Sequence, residues 1–218
     1  SDGALWKPTN SGAPPTTADC LAQIGIACYV PFQFQKAYNL GPLYAKGLNG
    51  AGQTIVIVDS YGFKGIENEL QRFDNAFNLP APPSFKIIAP AGPIPPFAPN
   101  VRPAMVGWAQ ETTLDVEYSH AMAPGANILL VETPVAETIG VTGFPEIVTA
   151  ENYVIDHHLG TVMTQSFEAR ERTYPNADSL HALVGSFRIA AAHGVMLLSP
   201  TRTEGPSGPS AARVCALS

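Results

Sequence analysis

Charged residues are scarce in this sequence, and their scarcity excludes several classes of protein. Only 14% of the 218 residues are charged, and 18 Asp and Glu outnumber 12 Lys and Arg. Nucleic-acid binding depends on basic groups that neutralise phosphates, so a net charge of −6 argues against a nucleic-acid partner. No apolar run reaches the roughly 20 residues of a membrane span, so no membrane partner is expected. Because few carboxylates are present, few native ion pairs are lost as the pH falls, which fits a protein that works in acid.

Cysteine is rare as well, with three residues in the chain. Cys20 and Cys28 bracket a short segment, a spacing that fits a small disulfide loop, and two free structural cysteines are the alternative. Cys215 is then the third cysteine, for which this pairing leaves no partner. The chain starts at Ser1 rather than Met and shows no signal peptide, which is typical of a processed product. These features together predict an extracellular, secreted protein.

Proline and glycine are plentiful, with 21 and 19 residues, and they separate alternating strand and helix patterns. Continuous apolar runs predict buried strands at 54–59, 127–132, 161–166 and 195–198, with a short strand at 85–89. Helical patterns occupy 31–40, 66–77, 146–159 and 178–193. This alternation predicts an α/β fold, in which a parallel sheet is flanked by helices.

One further predicted helix, which stops at Pro124-Gly125, carries two carboxylates four residues apart, Glu111 and Asp115. On a wheel of about 100° per residue, they share a stripe with apolar residues expected to face the core. Those apolar residues are Leu114, Tyr118, Ala121 and Met122. The polar residues on the opposite side are Thr113, Glu117 and His120. Charged groups are rarely buried without a partner or a function, so the pair is a catalytic candidate. The alternative is a structural pair that bridges to Arg102 or a backbone amide.

The segment ETTLDVEYSHAMAPGANILL, together with ACYVPFQFQKAYNL and GAGQTIVIVDSYG before it, resembles the sedolisins, or serine-carboxyl peptidases. These are secreted acid peptidases with a subtilisin-like fold, and the resemblance covers residues 20–198. It implies that Glu111 is the general base that takes the proton of an attacking serine, with Asp115 as its partner. It also implies that Gln165, Ser166 and Phe167 bind substrate.

The chemistry of such a site favours acid pH. A carboxylate base works near its ordinary pKa of about 4.3. Two carboxylates at close range cannot both ionise cheaply, so they share a proton. The family's oxyanion donor is a second, protonated aspartate, which can donate only while it holds that proton.

The sequence departs from the family pattern in several places. Thr203 stands about where the oxyanion aspartate of a G-D-x-G turn should be, and no G-T-S-x-x-x-P motif supplies a nucleophile. Glu168 occupies the position of a substrate-binding glycine. The family's C-terminal calcium site is absent too, so neither a metal nor another cofactor is expected. A shift of reading frame after Leu198 explains the loss of both motifs and the irregular tail, but not Glu168.

The sequence therefore predicts three parts: an extended arm at 1–30, a truncated sedolisin-like peptidase domain at 31–198, and an irregular tail at 199–218. The expected partner is a peptide or protein substrate, but this chain alone is expected to hydrolyse nothing. The alternative is a non-catalytic scaffold that binds peptides or proteins. Two further residues are interpreted as non-catalytic. Asp59 is taken as a strand-end cap, and Ser166 as a hydroxyl with no base beside it.

Overall fold

The computed structural model describes residues 14–136, 143–167 and 176–199, and within these ranges five parallel strands form one sheet in the order β2-β3-β1-β4-β5. The strands are β1 (Thr54–Ser60), β2 (Phe85–Ile88), β3 (Asn127–Thr133), β4 (Val162–Gln165) and β5 (Met196–Leu198). The helices are α1 (Thr17–Ile24), α2 (Pro31–Ala37), α3 (Gly41–Tyr44), α4 (Ile66–Phe77), α5 (Ala104–Met122), α6 (Phe144–Asp156) and α7 (Ala177–Ala192). This is the α/β fold that the sequence predicts.

The centre of the sheet is the long pairing of β1 with β3. Thr54 lies opposite Asn127, and the register continues to Ser60 opposite Thr133. On its other side β1 pairs with β4, which places Val58 beside Gln165. Because all strands are parallel, their carboxyl ends meet at one edge of the sheet, where ligands bind in open α/β folds.

Helices cover both faces of the sheet, so the central strands are apolar on both sides. One core contains Ile57 and Leu130 of the sheet with Leu70 of α4 and Val116 of α5. The other core contains strand residues of the opposite face and apolar residues of α6, such as Ile147. Helix α5 contacts both the sheet and α4.

Most elements lie where the sequence predicts them, because their apolar patterns are strong. Helix α4 matches its predicted range, with two acidic residues in its first turn and Asn78 in a left-handed conformation at its end. The predicted helix at 31–40 is shorter, since α2 ends at Ala37. The short helix α3 was not predicted.

Within residues 14–30, the described part of the predicted arm, the chain forms a helix. Thr16 and Asp19 form a capping box that starts α1, and Cys20 in this helix is joined to Cys28 by a disulfide. The polar Thr16 and Asp19 therefore cap a helix within the segment for which the sequence predicts an extended arm. The remaining N-terminal residues, Glu168, Thr203, Cys215 and the tail after Ser199 lie outside the described residues.

No helix within the described ranges is long and apolar enough to cross a membrane.

Candidate functional site: a carboxylate cluster at the sheet edge

The candidate site forms where the end of β1 meets the middle of α5. Side chains alternate between the two faces along a strand, so Asp59 faces the same side as Ile57. Ile57 packs in the core that includes Val116 of α5. Asp59 is consequently directed at the helix that carries Glu111 and Asp115.

Asp59 is fully buried, and its carboxyl group is the most strongly perturbed of the site. Burial raises the pKa of Asp59 well above its ordinary value, and the neighbouring charges of Asp115 and Glu111 raise it further. Thr112 and Asp115 lie close enough to influence its protonation, but neither oxygen of Asp59 forms a hydrogen bond of standard geometry with the described residues. Asp59 is thus not the strand-end cap expected from the sequence, because it caps no backbone group and lies against other acids.

Asp115 occupies the centre of the cluster. Its Oδ2 accepts a hydrogen bond from the Oγ of Ser166 at 2.6 Å. Burial raises the pKa of Asp115 to about 6, the hydrogen bond from Ser166 opposes that shift, and the charge of Glu111 adds to it. The interpretation that Ser166 has no base beside it is therefore wrong, since the chain leaves β4 in the direction of α5 and brings the hydroxyl to Asp115.

Glu111 lies one helical turn before Asp115 and is half-buried. Among the described residues, neither carboxylate forms an ion pair with Arg102, which is exposed just before α5. The bridging alternative is thus not what the structure shows. We refer to Glu111, Asp115 and Asp59 as the acid site. Its like charges are close together without a neighbouring cation from the described ranges, which favours proton sharing.

A fourth carboxylate, that of Glu132, lies at the same edge of the sheet and was missed in the sequence. Glu132 stands beside Asp59 in the register of β1 and β3. Its carboxylate packs directly over Gly62, where a β-carbon would collide with it, and Gly62 has the positive φ of 63° that glycine tolerates. Burial raises the pKa of Glu132 to about 7. The signal for it was available, because two buried runs, TIVIVD and NILLVE, both end in an acid.

The three predicted substrate-binding residues lie at the end of β4 but face different surroundings. Ser166 faces the acid site, whereas Gln165 is buried beside Val58 and Phe167 packs on Trp108 with ring centroids 5.0 Å apart. The pairing of β4 with β5 reaches only Thr164, opposite Leu198.

The prediction of the helical wheel is wrong for the opposite side of α5, which is more buried than the predicted apolar stripe, where Leu114, Tyr118 and Met122 are half-buried. Thr113, Glu117 and His120 are each at most 2% exposed. They are covered because α5 packs on α4 as well as on the sheet. His120 Nε2 forms a hydrogen bond with the carbonyl oxygen of Pro80 at 2.7 Å and lies 3.3 Å from Oδ1 of Asp74. Periodicity could not reveal this second contact, since the side chains involved are polar.

No set of three or more His, Cys, Asp or Glu side chains in the described parts of the chain is arranged to hold a metal ion.

Comparison with solved structures shows a distant likeness in fold. The chain superposes on Pseudomonas sedolisin, a serine-carboxyl proteinase in complex with two molecules of pseudo-iodotyrostatin, with a TM-score of 0.60 and 21% identity. The match covers 79% of this chain and 44% of that chain, so this chain spans less than half of that protein's length. No protein-family model and no curated protein matches the sequence. The chain therefore has a sedolisin-like, subtilisin-type α/β fold.

Proposed function

We propose that this chain is the base-carrying part of a serine-carboxyl peptidase that hydrolyses peptide bonds at acid pH. The observation that supports it most is the acid site itself, in which Asp115 interacts with both Asp59 and Glu111 and accepts a hydrogen bond from Ser166. In this proposal Glu111 accepts the proton of an attacking serine hydroxyl, and Asp115 orients Glu111.

The protonation of the other two carboxyls supports this division of roles. Burial is the main cause that raises the pKa values of Asp59 and Asp115, so these two groups hold protons at pH values where an ordinary carboxyl group is ionised. In this proposal Glu111 is the carboxylate that accepts the proton of the attacking serine hydroxyl. A base of this kind functions near the pKa of a carboxylic acid and loses its advantage at neutral pH.

The nucleophile and the oxyanion donor must come from sequence other than these 218 residues, because neither G-T-S-x-x-x-P nor G-D-x-G occurs here. We therefore expect no peptide hydrolysis by this chain alone. Ser166 does not replace the nucleophile in this proposal. Its hydroxyl donates to Asp115 and fixes the position of that carboxylate.

The decisive experiment is to sequence the gene from the codon of Ala190 to several hundred bases beyond the codon of Ser218, and to express the product of any frame that restores both motifs. That protein should cleave a peptide near pH 4, and E111Q should lower kcat by a factor of about 10² to 10⁴. E146Q, a matched change at a glutamate on α6 that is half-buried like Glu111, should leave kcat unchanged. Absence of both motifs from every frame, or full activity of E111Q, would refute the peptidase proposal.

A further inference from the structure

A cleft of about 480 Å³ lies between α4 and the segment that leads from α4 to β2. Its volume falls within the range of roughly 300 to 1,000 Å³ that is usual for small-molecule sites. None of the residues that line it belongs to the acid site. We refer to it as the α4 cleft, and the proposed peptidase chemistry makes no use of it.

The walls of the α4 cleft combine apolar surface with negative charge. Leu70, Leu79 and Phe85 supply apolar side chains, and the ionisable residues among its lining are two acids, Glu67 and Asp74. Arg72 is on the same helix but lies outside the lining, where it pairs with Glu69 at 3.0 Å and remains largely exposed. An anion would therefore be repelled from this cleft.

Asp74 is the buried polar group of the cleft, and its charge is not matched. The residue is 6% exposed, and its Oδ1 forms no hydrogen bond with the described residues. His120 Nε2 lies 3.3 Å away, but it is only 2.7 Å from the carbonyl oxygen of Pro80. Because a carbonyl can only accept, the Nε2 proton is donated to Pro80. Burial lowers the pKa of His120, so its ring is neutral at pH 7 and supplies no counter-charge.

A buried carboxylate without a partner is costly, and a cation that enters the cleft would remove that cost. The aromatic ring of Phe85 adds a surface that attracts cations and packs against apolar groups. A bare metal ion would gain little, since it would meet apolar walls and too few oxygens. We propose that the α4 cleft binds a small organic cation, an ammonium or guanidinium group on an apolar body, with Asp74 as its counter-ion.

The test is a titration of the ¹⁵N-labelled chain with phenethylamine at pH 7.5, followed by NMR, with 2-phenylethanol as a neutral ligand of similar shape. The amine should bind saturably and shift amide signals in α4 and in residues 79–85, whereas the alcohol should bind at least about tenfold more weakly. Equal binding of the two ligands, or shifts confined to other regions, would overturn the proposal.

Two variants separate the charge of Asp74 from a general change in charge. D74N should weaken amine binding at least about tenfold, because it removes the counter-ion and keeps the shape. E69Q removes the same charge from the same helix outside the cleft, and should bind within about twofold of the native chain. Unchanged affinity in D74N would be evidence against the site.

The native chain provides a check that does not depend on a folded variant. Burial raises the pKa of Asp74 to about 6, so the carboxylate is largely neutral at pH 5. Amine affinity should therefore fall by about tenfold between pH 7.5 and pH 5. The other titratable groups that face Asp74 are Glu67 on α4 and His120 on α5, and protonation of either also weakens cation binding. Affinity that is constant or rises in acid would contradict the assignment.

Discussion

Buried carboxylates lie on two sides of helix α5, and the chemical groups that face them differ between the two sides. On the sheet side of α5, Asp115 faces other acids and a serine hydroxyl. On the α4 side, Asp74 faces the neutral ring of His120 and an apolar cleft. In the acid site, burial and like charge raise the pKa values together, whereas for Asp74 burial is the cause. Burial of a carboxyl group can thus have two consequences. It favours proton sharing where other acids are close, and it favours binding of a cation where no counter-charge is present.

The largest expected effect is on the pH dependence of the whole chain's stability. Folding raises the pKa values of five buried or half-buried carboxyls: Asp59, Asp74, Asp115, Glu132 and Glu151. Their stabilising contribution is complete below the unfolded pKa of about 4 and is lost as the pH rises through 6 to 7. The lowered pKa values of His120 and Asp19 act in the opposite direction but belong to only two groups among the described residues. The Tm should be more than about 4 °C higher at pH 4.5 than at pH 7.5.

Differential scanning calorimetry at matched ionic strength measures this difference directly. Acetate and phosphate buffers with added salt keep screening constant while the protonation of the carboxyls changes. A Tm that is equal at the two pH values, or higher at pH 7.5, would show that the buried acids do not hold their protons.

The second-largest expected effect distinguishes Asp59 of the acid site from Asp74 of the α4 cleft. D59N and D74N each replace a carboxyl by a neutral group of the same shape, so each should reduce the loss of stability between pH 4.5 and pH 7.5. D59N should reduce it more, because the pKa of Asp59 is raised well above its ordinary value while that of Asp74 rises to about 6. Each unit of pKa shift removed corresponds to about 1.4 kcal/mol. Urea denaturation at the two pH values gives the comparison, and a larger reduction in D74N would reverse the proposed ranking.

The smallest effect concerns the centre of the acid site. S166A removes the hydrogen bond that favours ionised Asp115, so the pKa of Asp115 should rise above about 6, by less than one unit. Titration of the carboxyl carbon by ¹³C NMR measures it. T149A, which removes a hydroxyl bonded within α6, is the matched control and should change nothing.

A second variant, E111Q, should shift the pKa of Asp115 in the direction opposite to S166A. E111Q removes a like charge next to Asp115, so the pKa of Asp115 should fall. If S166A and E111Q shifted the pKa of Asp115 in the same direction, hydrogen bonding and charge would not be the causes assigned here.

Much of the fold could be predicted because burial leaves a direct pattern in the sequence. The runs TIVIVD and NILLVE became the paired central strands, since β-branched and apolar residues in unbroken runs suit a sheet covered on both faces. Helix α1 could not be read from its composition. It depends on a capping box and on the disulfide between Cys20 and Cys28, which act locally rather than through an apolar stripe.

The candidate site was predicted only in part, for a reason that concerns distance along the chain. The spacing of Glu111 and Asp115 placed both on one helix, and the resemblance to sedolisins suggested their roles. Asp59 and Ser166 are separated from that helix by whole elements, so only the sheet register could bring them to it. The burial of His120 could not be predicted for a different reason. A helical wheel assumes that one side of a helix is buried, whereas α5 packs on both the sheet and α4.

The sequence alone determined which residues are apolar and at what period, and therefore the strands, the longer helices and the pair of carboxylates on α5. The tertiary structure decided which polar groups meet: Asp59 with Asp115, Ser166 with Asp115, and Asp74 with His120. Hydrophobic burial is non-directional and leaves a periodic pattern along the chain, whereas electrostatic contacts depend on distances between residues far apart in sequence.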